Sequence, residues 1–431
     1  MEWAFFVVAV LSLLTTLNAV RPVPTSIVSI PSFFGGWLAT ELAVHRLAIQ
    51  VAILVAFPLL GGLEGWQGAA AVACMVASII GTLYLIFVSR HAGEVAEAAL
   101  REGLGDDYLS HIDPDLAARH DPSLPWRRLL LPFRMGLPEV ERTKNISYGP
   151  FGKRNRLDVY RRSDHPTGCP TLLQIHGGGW VIGKKDEQAV PLMQHLASRG
   201  WVCFAVNYRL GPRSRFPDML VDLKRAIAWI REHGAEYGAN PDFLVVTGGS
   251  AGGHLTALVA LTQNDPEYQP GFESADTSVY AAVPYYGVYD FTGRNGVRGK
   301  SGERGMRMFL ERSVMPTKLA DDPDGWAKAS PLDRITPDDP PFFVLHGHND
   351  TLVPVGEARY FVEKLRATSH QPVVYAELPG AQHAFDIFPS IRSAHIIRAV
   401  ERYLDFMYSR YRAGAGQGPA GRPGSEEVVA S

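Results

Sequence analysis

Cysteine is almost missing from this chain of 431 residues: Cys74, Cys169 and Cys203 are the only three, odd in number and far apart. That usage excludes a disulfide framework, and the spacing offers no zinc site, so no metal is expected. The thiols read as reduced, small apolar side chains. An excess of one charge is missing too, since the formal net charge is −2. A general nucleic-acid binder carries a basic excess, and that class is excluded. No repeat of fixed period is present, which excludes a solenoid or propeller.

Long apolar runs are present instead, all near the amino terminus. Residues 3–20 (WAFFVVAVLSLLTTLNAV), 47–63 (LAIQVAILVAFPLLGGL) and 68–88 (GAAAVACMVASIIGTLYLIFV) carry no charge over 18, 17 and 21 residues. A bilayer-spanning helix needs about 20 apolar residues. The second run is the weakest, being the shortest and holding Gln50 and Pro58. The first lacks the positive n-region and small-x-small cleavage site of a secretory signal, and is read as an uncleaved membrane segment. Three spans put Arg21, Arg46 and Arg90 on one side and Glu64 on the other. The positive-inside rule makes the arginine side cytoplasmic, and with it the large domain that follows. A re-entrant hairpin formed by the second and third runs changes that count. The expectation is a multi-pass membrane protein in contact with membrane lipids.

Four regions follow: a membrane region over 1–90, a linker with one or two amphipathic cap helices over 91–141, a catalytic domain over 142–412, and a tail over 413–431. The tail (AGAGQGPAGRPGSEEVVAS) is rich in Gly and Pro and is expected to be disordered. Within 142–412, RLDVYRR, TLLQIHG, WVCFAVNYR, FLVVTGG, YAAVPYYG, PFFVLHG and VVYAELPG read as strands. Helical patterns separate them, such as Phe216, Leu220, Leu223, Ile227 and Ile230. Alternation of this kind predicts an α/β fold with a mostly parallel sheet covered on both faces. Ligands then sit beyond the carboxyl ends of the strands.

The chemistry falls at that edge. Thr247–His254 reads TGGSAGGH, a Gly248-x-Ser250-x-Gly252 pattern between a strand and a helix. A turn so tight needs small neighbours, and it presents the serine oxygen beside the N–H groups of a helix start. Serine needs a base. His383, in LPGAQHAF, lies in the loop after the last predicted strand, and Asp350, in VLHGHNDTLVP, follows the strand before it. Asp290 is a rival carboxylate on an earlier strand end and reads as structural. The order Ser250…Asp350…His383 is that of an α/β-hydrolase triad. Such a triad acts by acyl transfer through the serine and needs no cofactor.

The stretch QIHGGGWVIG explains itself in that setting. Three glycines let the backbone approach a substrate oxyanion, and Gly177 and Gly178 are expected as N–H donors together with Ala251. His176 reads as a brace for the loop, and Trp180 as packing or a substrate contact.

Together, His176-Gly177-Gly178-Gly179-Trp180, VNYRL (206–210), FPDMLVD (216–222) and GGSAGGH resemble the hormone-sensitive-lipase-like serine carboxylesterases, the bacterial carboxylesterase and lipase branch of the α/β-hydrolase superfamily. The resemblance covers residues 148–412. It implies Ser250, Asp350 and His383 as triad, Gly177, Gly178 and Ala251 as oxyanion hole, and an α/β-hydrolase fold with a helical cap. The acid segment HGHNDTLVP departs from the branch's D-P-L-x-D, and His383-Ala384-Phe385 from its H-G-F. These bear on subfamily and leave the triad in place. The cap is expected ahead of the first strand and in the insertion 287–316, whose glycines predict a mobile lid. The basic later half of that insertion fits a solvated helix face or anionic lipid head groups.

The expected function is a membrane-anchored serine hydrolase of carboxylic or lipid esters. An acyltransferase or an arylformamidase-like amide hydrolase uses the same triad. A binding module on an inactive hydrolase fold usually lacks the serine or the histidine, and both are here.

Overall fold

The computed structural model of the chain describes residues 1–23 and 28–415. Of the tail expected to be disordered over 413–431, residues 413–415 continue the last helix and the rest lies outside the described residues. Four helices open the chain: α1 (Glu2–Val20), α2 (Ser29–Glu41), α3 (Ala43–Leu59) and α4 (Gly65–Leu104). By length and apolar composition α1 and α4 are each able to cross a membrane. The helices α2 and α3 pass that test only as a pair, bent by 87°.

Phe5 and Ala9 of α1 pack on Ala71 and Met75 of α4, and Ala19 meets Leu85 further along. The two helices therefore run in the same direction. The helix α3 returns between them, because Ala43 joins the Ala19 end while Phe57 stacks on Phe5 at the other. The polar linker expected from residue 91 begins inside α4. No proline interrupts the stretch, and Ala92, Ala96, Ala99 and Leu100 bury one face at helical spacing, so the helix continues. Its second half lies on the large domain, with Gly103 against Val374 and Gly93 against His395.

Two short helices, α5 (Pro114–Ala117) and α6 (Trp126–Leu130), lead to a sheet of eight strands. In chain order the elements are β1 (Val140–Ser147), β2 (Arg156–Arg162), β3 (Cys169–Ile175), α7 (Val190–Ser198), β4 (Val202–Val206), α8 (Asp218–His233), β5 (Ala239–Gly249) and α9 (Ala251–Leu261). Then come β6 (Ala281–Tyr285), α10 (Gly299–Ser313), α11 (Pro323–Lys328), β7 (Phe342–Gly347), α12 (Gly356–Thr368), β8 (Val373–Leu378) and α13 (Ile391–Ala415). The spatial order is β1-β2-β4-β3-β5-β6-β7-β8. Only β1–β2 and β2–β4 pair antiparallel, and every other pair is parallel. Strands β3, β4, β6 and β7 are buried along their length and β5 from Phe243 onward, with helices on both faces, which is the environment a parallel sheet requires. The expected α/β architecture is present, with one added edge strand, β1.

Candidate active site

The strand β5 ends at Gly249 and α9 starts at Ala251, leaving Ser250 alone in the turn with φ 59° and ψ −121°. A non-glycine residue there is strained, at a cost of about 1–3 kcal/mol, and the surroundings hold it. Ser250 N–H donates to Tyr285 O at 3.0 Å, and its carbonyl accepts from His254 N–H at 3.0 Å. Close packing fixes the rest. A Cβ at Gly252 would lie 2.2 Å from Ile175 O, so only glycine lets α9 sit this near to β3. Ser250 itself stays partly exposed at the carboxyl edge of the sheet.

The loops after β7 and β8 bring Asp350 and His383 together. His383 Nδ1 and Asp350 Oδ2 are 2.6 Å apart, both side chains buried. The other carboxylate oxygen accepts the N–H groups of Leu352 at 2.9 Å and Val353 at 2.8 Å. Burial works against ionising Asp350. The adjacent His383 and His346 outweigh it and hold the carboxyl well below the usual aspartate range. The ordinary unfolded value is about 3.9, so the stabilisation from Asp350 is full above that and is lost as pH falls toward the lower folded value. Asp350→Asn should therefore flatten the acid limb of the stability profile below about pH 4. Unfolding titrations of both proteins across that range check this.

Gln382 links the two loops, its Oε1 accepting from Thr351 N–H at 2.8 Å and His383 N–H at 2.9 Å. Tyr286 links the base to the elbow. Its ring centroid lies 4.4 Å from that of His383, and its hydroxyl sits 2.6 Å from where a Cβ on Gly249 would be. The same hydroxyl donates to Asp386. The rival carboxylate, Asp290, is consumed by its own loop, accepting N–H bonds from Thr292, Gly293 and Asn295.

The glycine loop lies directly against the elbow. A Cβ on Gly177 would meet Gly249 O at 2.5 Å and Ser250 Cβ at 3.1 Å. Gly177→Ala must therefore push the loop away from Ser250. A displacement near 1 Å costs about 100-fold in rate, so kcat should fall by about that factor while the melting temperature moves little. Steady-state kinetics beside a thermal melt test it.

The structure bears on two readings of this loop. The Gly177 N–H already donates to Gln188 Oε1 at 2.6 Å, eleven residues on, so it is occupied as an oxyanion donor. Among the described residues, the N–H groups of Gly178, Gly179 and Ala251 meet no acceptor. Trp180 is 2% exposed and its indole N–H donates to His254 Nδ1 at 3.1 Å. Of its two readings, packing behind the loop is the one this burial fits. That bond also fixes the His254 tautomer, with Nε2–H donating to Ala329 O at 2.8 Å. His176 braces the loop from the other side, stacked on Tyr208 and bonded through Nδ1 to Gly177 O at 2.7 Å. Burial pushes its imidazole down to about 4, which keeps this brace neutral.

Over the loop lies the expected cap insertion. Phe309 of α10 comes within 3.4 Å of a Cβ position on Gly179, and Arg215 binds the last carbonyls of α10 from below.

The most unexpected neighbour is α2. Phe33 meets His383 edge to face at 6.1 Å between ring centroids, and Trp37 Nε1 donates to Ala384 O at 2.8 Å. Thr351 Oγ1 donates to Ser29 O at 3.2 Å. The loops holding Asp350 and His383 are thus seated on the amino-terminal helices.

The chain is similar to known proteins over nearly its whole length. It is 45% identical over 430 residues to the probable carboxylic ester hydrolase LipM of Mycobacterium tuberculosis, covering 96% of this chain and 95% of that protein. It is 42% identical to the esterase LipQ of the same organism, covering 79% and 80%. The BD-FAE family model matches residues 157–365. The fold matches esterase B of Lactobacillus rhamnosis with a TM-score of 0.56 and 20% identity, over 75% of this chain and 98% of that one. With its esterase relatives, its α/β sheet and the motifs at the sheet's carboxyl edge, the chain belongs to the hormone-sensitive-lipase-like carboxylesterases of the α/β-hydrolase superfamily and is a carboxylic ester hydrolase.

Proposed function

We propose that this ester hydrolase is anchored in the membrane and works through an acyl-Ser250 intermediate, with lipidic or other hydrophobic esters as substrates. The observation that carries the mechanism is the buried His383–Asp350 pair, joined through Tyr286 to the strained elbow that presents Ser250. Ser250 Oγ attacks the ester carbonyl while His383 Nε2 accepts its proton. The oxyanion is met by the N–H groups of Gly178 and Ala251, with Gly179 beside them. His383 then protonates the departing alcohol, and water, deprotonated by the same imidazole, releases the acid. Asp350 keeps Nδ1 protonated and the imidazolium stabilised throughout.

The anchoring rests on an inverted pattern in the helix bundle. Leu11, Leu14 and Leu17 of α1, Val51 and Val55 of α3, and Ile80, Leu83 and Phe87 of α4 all face outward and exposed. Polar groups face inward: Gln50 Nε2 bonds Ser78 Oγ at 2.8 Å, Thr16 meets Ser78 at 2.8 Å, and Arg46 bonds Thr15 and Thr16. Apolar outside and polar inside suits hydrocarbon as solvent. Trp3 and Trp66 cluster at the end far from the catalytic domain, where an aromatic belt belongs. Arg21 and Arg90 lie at the near end, which supports a cytoplasmic catalytic domain. The helix α2 then lies along the surface between α1 and α3.

A graded series of acyl esters, presented to the full chain in detergent, tests the reading. Hydrolysis that rises with acyl length supports it. A folded chain that cleaves none of them moves the assignment to acyl transfer or amides.

A further inference from the structure

The helix α6 sits at the foot of the bundle, where Leu129 packs with Val44 of α3, Ile86 of α4, and Ile391 and Ala394 of α13. Beside it opens a cavity of about 140 Å³, lined by Arg128, His195, Arg199 and Arg398 with Ser123 and Ser393. Three guanidiniums around so small a space repel one another unless an anion answers them.

Glu401, Asp121 and Glu139 stand within electrostatic reach of these arginines, but neither Arg128 nor Arg398 makes an ion pair among the described residues. Glu401 lies behind the wall and is shared, 2.8 Å from His195 Nε2 and 3.4 Å from Arg199 Nε. Asp121, at the mouth, makes no ion pair among the described residues; it gives its backbone carbonyl to Arg398 at 2.6 Å. The remaining Arg398 bonds go to the carbonyls of Ala394 and Ser123, which are neutral. Arg128 donates to Met135 O at 3.2 Å, and its Nε is buried with no partner. A buried donor left unpaired is costly, and a planar guanidinium fork matches phosphate oxygens.

We propose that this cavity binds a phosphate group, carried by an anionic lipid at the membrane surface. The rim fits the lipid. Trp126, Leu130, Leu131 and Phe133, in the same stretch as Arg128, expose large apolar surface. Basic pockets at the foot of membrane helices match anionic head groups in charge and height. The phosphate site stands on the cavity alone, and its lipid source rests on the membrane reading above.

Calorimetry on the full chain in non-ionic detergent separates these. The probes are inorganic phosphate, an ether-linked dioctyl phosphatidic acid that no esterase cleaves, and the phosphate-free dioctylglycerol. Phosphatidic acid should bind at least about tenfold more tightly than either control, and Arg128→Gln should weaken it about tenfold or more, as loss of one charged hydrogen bond does. Arg128→Lys should recover part of that loss. Both variants should hydrolyse a short soluble ester at the wild-type rate, which shows that they fold. Equal affinity for inorganic phosphate and phosphatidic acid keeps the site and assigns it to the free ion. No binding of either, or unchanged binding in both Arg128→Gln and Arg398→Gln, overturns the proposal. Release of the chain from membranes by alkaline carbonate, with phosphate binding intact, sinks the membrane reading and leaves this site standing.

Discussion

Ser250→Ala should lower kcat for ester hydrolysis by about 10⁶-fold, with the fold intact. Removing the nucleophile of a serine triad costs about that much, and what remains is the oxyanion hole acting on water. The substitution suits the site sterically, because Ser250 is partly exposed and alanine is the smaller side chain. The elbow strain belongs to the backbone, at φ 59°, and alanine inherits it. Stability should therefore shift by less than about 1 kcal/mol. His383→Ala should cost a similar factor, and the double variant little more, since residues that act as a unit do not add. A fluorophosphonate probe should label Ser250 in the wild type and nothing in the variant. Residual activity within about tenfold of wild type would place the nucleophile elsewhere and remove the acyl-serine mechanism.

Much of this site was legible in the sequence because its constraints are local. The turn TGGSAGGH carries its own glycines, and one of them, Gly252, has no room for a side chain. Strands β4 (VCFAV) and β6 (AAVPY) announce themselves as apolar runs, and β5 and β7 through FLVV and FFVL, because both faces are covered. The edge strand β1 reads VERTKNIS, mostly half-buried or exposed, and gives no such signal. The helix α2 is hidden for another reason. Its sequence, SIPSFFGGWLATE, holds a proline and two glycines, and reads as a connector between apolar runs. What makes it a helix is the surface it lands on: Gly36 packs beside Asn18 of α1 and Gln382 of the His383 loop. Sequence spacing also could not show that Gln188 occupies the Gly177 N–H. That depends on a loop folding back over eleven residues.

Arg392→Met should destabilise the protein by about 3–5 kcal/mol and slow the enzyme as well. Arg392 and Glu41 form an ion pair with both side chains fully buried, although 351 positions separate them. Ser390 Oγ adds a bond to Glu41 Oε2 at 2.7 Å, and Arg392 also reaches Pro379 O at 3.3 Å. The pair pins the last residue of α2 to the segment that follows His383. Removing the arginine strands a carboxylate away from water, which is the expensive way to break such a pair. Replacing both partners, as in Glu41→Leu with Arg392→Met, removes the charge with its counter-charge and should recover most of the stability. Activity need not recover with it. Trp37 and Phe33 on the same helix touch the His383 loop, so a helix held only by apolar contact positions the imidazole less tightly. The expected pattern is a double variant with near-normal melting, a lowered kcat and an unchanged KM. If kcat recovers along with stability, α2 is a structural clamp and nothing more. If it stays low, a helix of the amino-terminal bundle belongs to the positioning machinery of the active site, and the catalytic domain cannot be cut free of it without loss of function.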